Sequence, residues 1–90
     1  MEERNLIRIN DMGLVAYLRY CDEVVLEVKW ADGKCYWLFQ GTMEAHDLMR
    51  QWNSELARVE PRRYNRCYNN TKTEFYESGL AVGQIKPRRR

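Results

Sequence analysis

The dipeptide Asp32-Gly33 lies between two apolar-rich runs, EVVLEVKW (residues 23–30) and KCYWLFQ (residues 34–40). Both residues tolerate the positive φ angles of a two-residue type I′ turn, so the pair predicts a tight β-hairpin. With Asp32 and Gly33 at the turn, Trp30 faces Cys35, Val28 faces Trp37 and Leu26 faces Phe39. These six residues and Val24 make one apolar face. Lys29 with Tyr36, Glu27 with Leu38 and Val25 with Gln40 make a mixed face on the other side. A slip of one residue would turn both tryptophans into water, so the register is firmly set.

A two-stranded hairpin is marginal alone and needs cover. LIRIN (residues 6–10) alternates and predicts a short additional strand. Asn10 or Asp11 can cap a following helix, whose apolar stripe is Leu14, Val15 and Leu18 and whose end falls near Cys21–Asp22. After Gly41, Thr42 caps a second helix with Ala45, Leu48, Met49, Trp52 and Leu56 on one face. Pro61 suits the first turn of a third. That helix repeats the spacing with Tyr64, Cys67, Tyr68, Thr71 and Phe75, and Gly79 is read as its end. The expected fold is a small α+β domain, order β-α-β-β-α-α, with helices covering one face of an antiparallel sheet. Residues 1–78 form the domain and residues 79–90 a flexible basic tail.

Charge is unevenly distributed. Residues 1–57 carry six Lys/Arg against ten Asp/Glu, a net of −4, whereas residues 58–90 carry nine against three, a net of +6. Such polarity points to an acidic partner for the C-terminal part. The competing reading is a solvated helix face followed by a soluble tail. No apolar run approaches the roughly 20 residues of a membrane span, and the polar start MEERN is not a signal peptide. The expectation is a cytoplasmic protein with no membrane partner, in the host cytoplasm if its origin is viral.

Catalytic and metal readings find little support. Cys21, Cys35 and Cys67 form no C-x-x-C pair and His46 is the single histidine, so a zinc set is not assembled. The thiols are expected reduced and buried. His46 with Ser54, Ser78 or a cysteine would be needed for nucleophilic catalysis, yet His46 lies off its helix's apolar stripe. Glu44 and Asp47 suit a helix N-terminus, and the five glycines make no phosphate loop. No enzyme activity, cofactor or metal is expected.

Binding is the remaining class. Arg58, Arg62, Arg63, Arg66 and Lys72 cluster on and before the last helix, and Lys86, Arg88, Arg89 and Arg90 fill the tail. These cations could meet phosphates, with Tyr36 stacking on a base. The same Tyr- and Arg-rich composition equally suits a protein interface, where Tyr36 and Leu38 on the mixed hairpin face would be apolar anchors. The strand at residues 6–10, if at a sheet edge, could pair with a second copy in a homodimer.

Four pieces of the chain, Asp11-x-Gly13-Leu14-x-Ala16-Tyr17-Leu18, Trp37-x-Phe39, Trp52–Asn53 and Val59-Glu60-Pro61, span about residues 11–76. Together they resemble a small domain family of unknown function found mainly in phage, prophage and mobile-element proteins. Cys21-Asp22-Glu23 replaces the family's frequent Gly-aromatic step. The resemblance implies a mobile-element origin and no catalytic residues. By analogy it implies a protein that occupies a surface of a host protein or nucleoprotein complex, a defence system in the manner of an anti-CRISPR included. Modulation or inhibition of such a complex, by the basic last helix and tail engaging an anionic surface, is the expected function, and direct DNA or RNA binding through the same helix and tail is the alternative.

Overall fold

A computed structural model describes residues 5–86. The element order is β1 (Leu6–Ile9), α1 (Met12–Tyr20), β2 (Glu27–Ala31), β3 (Lys34–Gln40), α2 (Met43–Asn53) and α3 (Pro61–Ala81). The sheet is antiparallel with strand order β1-β3-β2. This is the expected α+β arrangement, with the hairpin's second strand at its centre.

The turn forms as its sequence demands, with φ of 54° at Asp32 and 77° at Gly33. Trp30 is opposite Cys35 and Val28 opposite Trp37. Cys35, Trp37 and Phe39 are buried on the inner face beneath Leu14, Val15 and Leu18 of α1, with Ile9 from β1. Asp11 starts α1 by accepting the Gly13 and Leu14 amides on its carboxylate.

The hairpin alternation does not run back as far as the sequence suggests. The chain leaves α1 through Asp22 in the left-handed region (φ 71°) and joins the ladder only at Glu27. Leu26 donates its amide to the Leu38 carbonyl at 2.7 Å rather than sitting opposite Phe39. The predicted faces are therefore exchanged there. Val24 and Leu26, expected inside, are 69% and 48% exposed, while Val25, expected outside, packs on the core.

Thr42 caps α2 through the Ala45 amide, as expected. The helix stops at Asn53, because Ser54 caps it and Glu55 turns left-handed at φ 62°. The Leu56 amide closes back on the Gln51 carbonyl, so Leu56 is exposed and does not extend the apolar face. A knot of rings joins the helices: Trp52 stands 5.5 Å from Tyr17 and 6.2 Å from Tyr64. The Tyr17 hydroxyl donates to Gln51 and the Tyr64 hydroxyl to the Gly13 carbonyl.

Gly79 does not end α3. The helix runs to Ala81, and Gly83 (φ 79°) takes the left-handed position. The Gln84 and Ile85 amides then return to the Gly79 carbonyl at 2.8 and 3.1 Å. Gly79 is buried, and a Cβ there would stand 2.6 Å from Ile85 Cγ1 and 3.0 Å from Trp30 Cζ2. A small residue is required by packing, not by the backbone.

Candidate functional site

Pro61 occupies the first turn of α3, and Glu60 caps it by accepting the Arg62 and Arg63 amides at 3.2 and 2.9 Å. Those two bonds, aided by the positive charge of Arg66 and Arg63, hold the Glu60 carboxyl below its ordinary range. The inward side of α3 carries Tyr64, Cys67, Tyr68, Thr71 and Phe75 as its spacing predicts, and continues through Glu74 and Ser78.

Glu74 is the polar hub that the apolar pattern did not reveal. It accepts the Trp37 indole N–H at 2.9 Å on one oxygen and the Arg19 guanidinium at 2.7 Å on the other. Ser78 accepts the Trp30 indole N–H at 2.8 Å. A buried indole needs an acceptor, so two inward tryptophans demand two acceptors on the covering helix. Glu74 and Ser78 stand one helical turn apart on that side.

The predicted cations separate by role. Arg58, Arg62, Arg63, Arg66 and Lys72 are exposed. Ion pairs among the described residues are Arg19–Glu74 and Arg50–Asp47, so the five have no carboxylate partner within that set. Arg63 is nonetheless held: its guanidinium lies 4.0 Å from the Tyr20 ring centre and donates to the Tyr20 carbonyl at 2.9 Å. Helical spacing puts Arg62 and Arg66 on one outward line with Asn69, Thr73, Tyr76 and Leu80, and Lys72 to one flank. Tyr76 and Leu80 are 51% and 45% exposed. Beside this line a hollow of about 270 Å³ opens between α1 and α3, lined by Arg19, Tyr20, Asp22, Arg63, Arg66, Cys67 and Asn70. Lys86 is exposed beyond the helix, and Arg88, Arg89 and Arg90 lie outside the described residues.

Tyr36 and Leu38 do not join this group. They point from β3 to the face opposite Trp37, away from α1 and α3, so the sequence-predicted site is two surfaces rather than one. Leu38 is also a poor anchor at 6% exposure, since it sits on the central strand between Arg8 and Glu27. Tyr36 is half-buried, with the Arg8 guanidinium 5.3 Å from its ring centre.

The groups weighed for catalysis have structural positions. The Ser54 hydroxyl donates to the Arg50 carbonyl and the Ser78 hydroxyl to the Glu74 carbonyl. His46 is exposed on α2 with no side-chain hydrogen bond among the described residues. Burial pushes the Cys21 and Cys35 thiols up, which disfavours the thiolate. Among the described residues no three His, Cys, Asp or Glu side chains gather as a metal site, and no helix is long and apolar enough to cross a membrane. No protein-family model, curated protein or solved structure matches the chain.

Proposed function

We propose that this chain is a non-catalytic binding protein that engages an acidic surface of a partner protein or nucleoprotein through the outward line of α3. The observation that carries the reading is the composition of that line. Arg62 and Arg66 stand at its start without a described carboxylate partner, and exposed Tyr76 and Leu80 stand at its end. Protein interfaces combine an apolar or aromatic centre with charged contacts in this way. A groove tracking a phosphate backbone would continue the cations along the helix, whereas Asn69 and Thr73 follow here. Arg63, fixed on Tyr20, presents a preorganised guanidinium beside Arg66 at the neighbouring hollow. The proposed partner is a host complex, as the sequence resemblance of residues 11–76 implies, and the proposed consequence is its modulation or inhibition.

Capture from a lysate of the source cell, with and without nuclease, tests the partner class, together with a titration of the pure protein against random duplex DNA over a range of salt. Retention of one protein partner after nuclease treatment, with weak duplex binding, is the expected result. Capture abolished by nuclease, together with tight duplex binding that weakens steeply with salt and depends on Arg62 and Arg66, would overturn it in favour of direct DNA binding.

A further inference from the structure

The outer face of the sheet carries a second cationic surface independent of α3. An open hollow of about 410 Å³ is lined by Leu6, Arg8, Lys29, Ala31, Tyr36 and Leu38. All six come from the three strands, and α1 and α3 pack on the other side of the sheet. Lys29 is directly opposite Tyr36 in the register, and Arg8, opposite Leu38, reaches diagonally to within 5.3 Å of the Tyr36 ring centre. A flat aromatic surface therefore lies between two cations over an aliphatic floor. Neither cation has a carboxylate partner among the described residues.

We propose that this face binds single-stranded nucleic acid, with a base stacked on the Tyr36–Arg8 surface and backbone phosphates paired with Arg8 and Lys29. The charge pattern selects this occupant. A second copy of the chain laid face to face would offer the cations of this face one strand carboxylate, Glu27 opposite Leu38, and would otherwise set Arg8 and Lys29 against like charge. An acidic peptide would satisfy the cations but leave the ring and the guanidinium plane without a flat partner. Unpaired bases supply that plane and carry negative charge on both sides, and stacking on Tyr or Arg accepts any base. Duplex nucleic acid keeps its bases stacked inside and cannot offer one to Tyr36.

The test is fluorescence anisotropy of a labelled oligothymidylate of about ten nucleotides, within the range of site sizes such platforms cover. Single-stranded RNA and a duplex of equal length are run beside it, on the whole chain at low salt. The account expects measurable single-strand binding that weakens with salt and exceeds duplex binding. Tyr36→Leu, which keeps bulk and removes the π-face, should weaken it about ten-fold, and Tyr36→Phe should retain it. Arg8→Glu/Lys29→Glu, at exposed positions that keep the fold by circular dichroism, should abolish it. Arg62→Gln/Arg66→Gln should weaken it far less than Tyr36→Leu does, which separates this site from the one on α3. Absence of single-strand binding, a preference for duplex, or binding that depends on Arg62 and Arg66 but not on Tyr36 would overturn the proposal.

Discussion

Gly79→Ala offers a sharp test of how the end of the chain packs. In an exposed helix interior this change gains about 1 kcal/mol, because alanine loses less backbone entropy than glycine. Here the added methyl meets Ile85 Cγ1 at 2.6 Å and Trp30 Cζ2 at 3.0 Å. Trp30 cannot easily withdraw, since its indole is bonded to Ser78 and its ring lies 5.2 Å from that of Phe75. Ile85 must therefore give way, although its amide is tied to the Gly79 carbonyl. Overpacking of this kind costs about 1–3 kcal/mol, so after the propensity gain the expected net loss is about 1 kcal/mol. For a domain this small that lowers Tm by roughly 4–8 °C. In an Ile85→Ala background the main clash is gone, and Gly79→Ala should be neutral or stabilising by up to about 1 kcal/mol. Urea unfolding followed by tryptophan fluorescence gives the four stabilities of the cycle, with an expected coupling of about 1–2 kcal/mol. If Gly79→Ala alone raised stability by its full helix-propensity gain, Val82–Ile85 would not pack on α3 as described.

Three other perturbations have defined outcomes. Glu74→Ala removes the acceptor of Trp37 and the partner of Arg19, both largely buried, and should cost about 2–3 kcal/mol in the same denaturation assay, discounted for the partial exposure of the carboxylate. Glu55→Gly relieves a left-handed residue at the end of α2 and should stabilise by about 0.5–1 kcal/mol, read as a rise in Tm. Glu60 has a lowered folded-state pKa, so its capping contribution is present above the ordinary value of 4.5 and disappears as pH falls through the folded value. Glu60→Gln should flatten that part of the acid side of a Tm-against-pH profile, and an unchanged slope would count against the cap.

The hairpin was legible because one dipeptide dictates its turn and a slip would expose both tryptophans. The alternation could not say where β2 begins, since that depends on how the chain leaves α1 through Asp22; hence the reversal at Val24, Val25 and Leu26. Leu38 shows a related limit. Period-two alternation assigns a face, but its burial follows from β3 being the central strand, which is fixed only when β1 pairs beside it. Glycine's preference for helix ends puts the end of α3 at Gly79, whereas Gly83 holds the left-handed turn and Gly79 serves packing. Glu74 lies outside the apolar periodicity that marks α3, although the need of Trp37 and Trp30 for acceptors points to polar residues on the covering helix. The α3 cations were visible as composition. Their division into a held Arg63, an outward Arg62 and Arg66, and a separate sheet face around Tyr36 required the tertiary fold.

The most direct test of the central claim is partner capture by Arg62→Glu/Arg66→Glu, compared with the unaltered protein at matched stability. Both side chains are exposed and make no described ion pair, so the unfolding free energy should stay within about 0.5 kcal/mol. The account predicts that the nuclease-resistant partner is lost from the variant. Undiminished capture by the folded variant would contradict it and place the working surface elsewhere on the molecule.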